Sequence, residues 1–228
     1  MIIITGASKG IGKFLFEKYS GLGKEVIGTY NSTTVEEKTP HSMYQVDITD
    51  YEQVQEFVLK IKDRLHEVVL INSAGANYSG FAHKAKIDAW KKVIDINLVG
   101  TFHMIHHLLT IMREQKYGRI INFSSVVAQM SIPGTSAYAA SKAGLWGLTK
   151  AVAAECASKG ITVNTLNLGY YNVGMINEVT PEMQEILKAK IPVGNNFGDP
   201  ENIYEAINFI INAPYLTGAS IDINGGII

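Results

Sequence analysis

Short apolar runs alternate along this chain with longer amphipathic stretches. Val68-Val69-Leu70-Ile71 and Ile120-Ile121-Asn122-Phe123 are nearly continuous in apolar residues, as strands covered on both faces require. Strands are expected over 2–5, 25–30, 43–46, 67–72, 119–124, 161–167 and 219–223. Helices are expected over 11–21, 50–65, 86–95, 98–115, 135–158 and 199–212, with another near 181–190. This alternation predicts an α/β protein, a doubly wound parallel sheet of about seven strands with helices on both faces. In such sheets ligands collect at the carboxyl ends of the strands. Thr5, Asp47, Asn72, Ser125 and Asn167 all fall at or just after predicted strand ends, so they are expected on one rim.

The first strand leads into Thr5-Gly6-Ala7-Ser8-Lys9-Gly10-Ile11-Gly12 and then a helical pattern. A strand, a glycine turn and a helix N-terminus make an anion site, because N–H groups point outward and the helix dipole favours negative charge. Gly6 and Gly10 would let the backbone approach a pyrophosphate, and Gly12 would let helix and strand pack closely. The spacing G-x3-G-x-G differs from the common G-x-G-x-x-G, and a ligand-free tight turn is the plainer reading of the loop alone.

Far along the chain, Tyr138 is followed four residues later by Lys142, which places both on one helix face. A neighbouring ammonium favours phenolate and is expected to lower the phenol's pKa from about 10, making Tyr138 a candidate proton donor. Ser125 lies upstream at a strand end, with Ser124 as its rival.

Bulk properties narrow the field. The 228 residues contain no linker or repeat, so one domain spanning 1–228 is expected. Net charge is −1, from 20 basic and 21 acidic residues, which gives no electrostatic footprint for nucleic acid. There is no apolar run of the ~18 residues that a membrane span needs, and no signal-peptide pattern. The single cysteine, Cys156, fits a reducing cytoplasm and falls in the apolar pattern of a helix. His103 and His107 share a helix face with His106 nearby, but without a convergent acid or cysteine they make a poor zinc site.

Taken together, these segments resemble the short-chain dehydrogenase/reductase family from Thr5 to about Gly226, and within it are most similar to 3-oxoacyl-(acyl-carrier-protein) reductases. The glycine loop resembles the family's cofactor loop, and Asn72-Ser73-Ala74-Gly75 its N-N-A-G segment. Leu216-Thr217-Gly218 and Ile223-Asn224-Gly225-Gly226 are similar to its closing strand. The resemblance implies a Rossmann-type sheet and a catalytic tetrad of Asn97, Ser125, Tyr138 and Lys142. Ser125, at the family spacing, is implied over Ser124. In the implied reaction a hydride reaches a carbonyl carbon, Tyr138 protonates the oxygen and Ser125 positions it. Lys142 would tune Tyr138 and hold the nicotinamide ribose. Asn97, read alone an ordinary helix N-cap, would hold a water relaying protons to Lys142.

Implied cofactor contacts are Thr5, Gly6, Ser8, Lys9, Gly10, Ile11, Gly12, Tyr30, Asn31, Ser32, Asp47, Ile48, Asn72, Ala74, Gly75, Gly169 and Tyr171, besides Tyr138 and Lys142. The stretch Gly28-Thr29-Tyr30-Asn31-Ser32 carries no carboxylate to repel a 2′-phosphate, and Lys9 adds a cation. NADP(H) is therefore expected, with NAD(H) the alternative and Glu36 and Glu37 a complication. Residues 170–197 are expected to cover the site as a lid. Its Met175, Ile176, Val179, Ile186, Leu187, Ile191 and Val193 would line an apolar pocket or pack beneath the lid. Lys116 and Lys159 match two basic positions at the entrance that meet an acidic acyl carrier protein. A homodimer or homotetramer is implied, with His103, His106, His107 and Trp146 in interface packing. Leu168 and Val173 depart from the family's proline and threonine. The rival readings are a reductase of another ketone, alcohol or sugar, and a non-catalytic NADP(H) sensor.

Overall fold

The computed structural model describes residues 1–33, 42–130 and 132–228. Seven parallel strands form one sheet in the order β3-β2-β1-β4-β5-β6-β7. They are β1 (Ile2–Thr5), β2 (Val26–Tyr30), β3 (Met43–Gln45), β4 (Val69–Asn72), β5 (Gly118–Ser125), β6 (Ile161–Leu168) and β7 (Ser220–Ile223). Among the described residues, seven α-helices connect and cover them: α1 (Gly10–Gly21), α2 (Tyr51–Ile61), α3 (Ile87–Ile94), α4 (Gly100–Gln115), α5 (Ser136–Cys156), α6 (Pro181–Lys188) and α7 (Glu201–Ile211). This is the Rossmann-type, doubly wound sheet expected from the alternation, with its order reversing between β1 and β4. No helix of the described residues is long and apolar enough to cross a membrane.

The two sheet faces bury separate cores because successive strand residues point to opposite sides. Ile3, Leu70 and Ile120 face α2, α4 and α5, packing with Val54, Met104, Leu108 and Cys156. Ile2, Ile4, Ile71 and Ile121 face α1 and α7, packing with Leu15, Phe16, Ile203 and Ile207. Cys156 is fully buried, as its helical pattern predicts.

Strand lengths position the chemistry. Thr5 is level with Asn72, Asn72 with Asn122, and Asn122 with Thr165. The strand β5 runs on three residues to Ser125, which therefore stands ~10 Å above that level at ~3.3 Å per residue.

One expected boundary is corrected. The helix containing Asn97 does not start at 98: α3 and α4 are joined by a π-helical turn, Asp95–Val99, into one continuous helix. Asn97 is thus inside a helix and caps nothing. Single π-turns of this kind recur at functional sites.

Candidate active site

A cavity of about 840 Å³ opens along the carboxyl ends of the strands, centred on the β1–β4 switch point. The glycine loop forms its floor. Gly6 and Gly10 have φ of 67° and 59°, a region that favours glycine. A Cβ on Gly6 would stand 2.8 Å from the Ala74 Cα, and one on Gly12 would overlap the Gly6 carbonyl oxygen. The first turn of α1 contains no acid, and its N-cap Lys9 makes no side-chain bond to it. Its N–H groups are left open to an anion, which fits the pyrophosphate of a dinucleotide.

Replacing Gly12 with alanine is therefore expected to lower stability by about 2 kcal/mol and to abolish dinucleotide binding. Gly21→Ala, at a position with nothing within 4 Å, is expected to leave both unchanged. Thermal unfolding and fluorescence titration of the pair check this, and equal behaviour of the two variants refutes it.

Gly6, Ser8, Lys9, Gly10, Ile11 and Gly12 line the cavity, as do Tyr30, Asn31, Ser32, Asp47, Ile48, Ala74, Gly75, Gly169 and Tyr171. Two expected contacts do not. Thr5 is buried, and its hydroxyl accepts from the N–H groups of Ser73 and Ala74 at 3.1 and 3.0 Å. Asn72 is buried and donates to Asn122 Oδ1 at 2.8 Å. Thr5 holds the loop after β4 and Asn72 ties β4 to β5, rather than either holding a ligand. The Tyr171 phenol donates to the Ile223 carbonyl at 3.0 Å, so its hydroxyl is already engaged. Glu36 and Glu37 lie outside the described residues.

At the far end of the cavity stand Ser125, Tyr138 and Lys142. Successive residues on β5 point to opposite faces, which separates the two candidate serines. The Ser124 hydroxyl is taken up by the Lys142 carbonyl at 2.8 Å. The Ser125 hydroxyl accepts from Val127 N–H at 3.2 Å and lines the same cavity as the Tyr138 phenol.

Lys142 is buried, and its ammonium donates to the Phe123 carbonyl at 2.7 Å while lying 5.7 Å from the Tyr138 ring centre. Burial lowers its pKa from 10.5 to about 8. The expectation that Lys142 acidifies Tyr138 is corrected in this structure. Desolvation of the phenol raises its pKa above the ordinary 10, the Ser125 hydroxyl opposes this, and nearby Tyr170 adds to the rise. The residue is half-buried at the cleft wall, and desolvation there outweighs a cation already bonded to the Phe123 carbonyl.

Asn97 is fully buried behind the cavity wall. Its Oδ1 accepts from Ala76 N–H at 2.8 Å, and its Nδ2 donates to the Ala76 carbonyl at 3.0 Å and to Ser141 Oγ at 2.9 Å. Gly75 brings it toward the lysine: a Cβ there would lie 3.4 Å from Asn97 Oδ1 and 3.7 Å from Lys142 Nζ.

The segment after β6 covers the site. Met175, Ile176, Val179 and Leu187 line the cavity. Ile186 and Val193 point outward, and Ile191 is buried against Gly225, so the apolar stripe is divided between pocket, surface and core. Tyr170, Val127, Thr135, Asn77, Lys92 and Ile96 also line the cavity and were not singled out by sequence. Tyr170, next to Gly169 at a strand end, carried a signal; Lys92 and Ile96 reach the site through helix phase alone.

Other expected placements change too. Lys116 and Lys159 precede β5 and β6, at the amino ends of the strands, where a Cβ on Gly160 would overlap the Lys116 carbonyl. Within one chain they are across the sheet from the cleft and do not flank its mouth. Trp146 turns inward, donating to Asn167 Oδ1 at 2.8 Å. The three histidines gather around Tyr51, with His107 nearest at 4.5 Å between ring centres.

Comparison with known proteins fits this geometry. The family model of short chain dehydrogenases matches residues 1–184. The chain belongs to the short-chain dehydrogenase family. The acetoacetyl-CoA reductase of Shinella zoogloeoides is 35% identical over 233 residues, covering 98% of this chain and 96% of the relative. The 3-oxoacyl-(acyl-carrier-protein) reductase of Vibrio cholerae is 34% identical over 233 residues, covering 98% of this chain and 95% of the relative. The solved structure of ElxO with NADP bound superposes with a TM-score of 0.90 at 28% identity, covering 99% of this chain and 97% of that one. As a short-chain dehydrogenase this protein is an oxidoreductase of carbonyl and alcohol groups that uses a nicotinamide cofactor.

Proposed function

We propose that this short-chain dehydrogenase reduces the ketone of a 3-oxoacyl thioester with NADPH, and that Tyr138 is its proton donor. The observation that carries this reading is the grouping of Ser125, Tyr138 and Lys142 in one cleft with an uncapped glycine-loop helix. The bound dinucleotide supplies the hydride. Gly6, Ser8, Gly10, Ile11 and Gly12 hold its phosphates, and Asp47 and Ile48 face its adenine. Lys142 holds the nicotinamide ribose. Tyr138 is protonated at neutral pH, its pKa being at or above the ordinary phenol value, so the proton is available when charge appears on the substrate oxygen. Ser125 donates to that oxygen and fixes it beside the phenol. Asn97 positions this centre by clamping the Ala76 main chain.

NADPH is favoured over NADH by the absence of a carboxylate at the end of β2 and by Lys9 in the cavity wall. The thioester is favoured by the apolar cover of Met175, Ile176, Val179 and Leu187, and by the relatives' activities. A dimer or tetramer would cover the exposed Val99 and Phe102 of the long central helix.

The test is NADPH consumption with acetoacetyl-CoA against a panel of simple ketones and keto-sugars. A clear preference for the thioester is expected. Preference for another carbonyl removes the substrate assignment, faster turnover with NADH removes the cofactor assignment, and tight NADPH binding without turnover of any carbonyl indicates a sensor.

A further inference from the structure

The adenosine end of the cavity has a second wall that the glycine loop does not supply. Lys92 stands on α3 one turn before Ile96, so the two share a helix face. Both line the main cavity and also an adjoining recess of about 310 Å³. Across that recess is Asn31, just beyond the end of β2, where doubly wound sheets read the 2′ position of the adenosine ribose. Lys9, at the glycine-loop end of α1, also borders the cavity.

We infer that Lys92 is a second specificity-determining cation, closing on the 2′-phosphate of NADP(H) from the helix side while Lys9 approaches from the loop. Among the described residues neither lysine is in an ion pair. Both are exposed, so each ammonium is free to swing onto a ligand. Other charges face the same recess: Lys91, Asp88 and Asp95 from the helix, and Asp47 from beyond β3. Asp47 Oδ1 is occupied by the Thr49 N–H and hydroxyl at 2.9 and 2.7 Å. The three carboxylates keep the recess from being a strong positive field. Discrimination must then come from a directed contact of Lys92 with the phosphate.

This inference rests on the NADPH reading above. It is tested by calorimetric binding of adenosine 2′,5′-bisphosphate and 5′-AMP, which differ by the 2′-phosphate, to the parent, Lys9→Ala, Lys92→Ala and Lys92→Glu. Lys92→Ala is expected to weaken the bisphosphate about fivefold, as a partly solvated charge contact does, and Lys92→Glu to weaken it further. Binding of 5′-AMP is expected to be unchanged in both, and thermal unfolding to match the parent. If Lys9→Ala loses the preference for the bisphosphate and the Lys92 variants keep it, the role of Lys92 is refuted and the NADPH reading stands. Equal weakening of both ligands by Lys92→Ala also refutes it. A parent that binds the two ligands alike overturns the NADPH reading and this inference with it.

Discussion

Replacing Tyr138 with phenylalanine is expected to lower kcat for acetoacetyl-CoA about a thousandfold, within the range for loss of a positioned general acid. The substitution keeps the ring, so packing beside α5's neighbours and the 5.7 Å approach of Lys142 persist. What disappears is one oxygen, in the cavity that Ser125 also lines and with its pKa raised by desolvation. A water entering its place would be poorly oriented and would have no fixed partner besides Ser125. NADPH affinity, read by fluorescence, is expected to stay within about twofold, since the anion site lies at the other end of the cavity. The split between turnover and binding separates a chemical role from a structural one. If the variant keeps kcat within tenfold of the parent while folded and loaded, another group donates the proton.

The strands were legible because each is an apolar run too short for a helix, bounded by turn residues. The rim followed from the strands: Thr5, Asn72, Ser125 and Asn167 all lie at or next to strand ends. Distance along a strand was less legible. Thr5 and Asn72 end short strands and are buried, tied to the loop after β4 and to β5 respectively, whereas Ser125 is raised into the cleft by the longer β5. The fusion of α3 with α4 left no mark because a π-turn needs no cap or breaker. Gly100 is required there by the approach of Ile48, where a Cβ would come within 2.7 Å of its side chain, and not by a helix end. Lys116 and Lys159 could have been placed correctly from order alone, since residues that precede parallel strands lie at the end opposite the ligand rim. The helical spacing of Tyr138 and Lys142 was right, yet the sign of the phenol's shift was not. Spacing gives proximity, and burial decided the electrostatics.

Replacing Lys142 with methionine is expected to reduce kcat/KM for NADPH about a hundredfold without lowering the melting temperature at pH 7. The two halves have one origin. Burial holds the folded-state pKa at about 8, below the ordinary 10.5. Between those values the unfolded chain binds more protons than the folded one, so stability from this group rises with pH across that window. Below pH 8 the cost of the buried cation is fully present, on the order of 3 kcal/mol. Methionine has a similar length and no charge, so it removes that cost and forfeits only the bond to the Phe123 carbonyl, roughly 1–3 kcal/mol. The same pKa governs the parent's pH profile. Because kcat/KM for NADPH reports the free enzyme, it is expected to fall as pH rises through about 8, where Lys142 loses its charge. Tyr138 cannot be the source of that limb, since its pKa lies above 10. The methionine variant should lack the limb altogether. A parent profile flat from pH 7 to 9, or a variant that melts well below the parent at pH 7, would show that the ammonium is held by something other than the balance of burial and the Phe123 carbonyl.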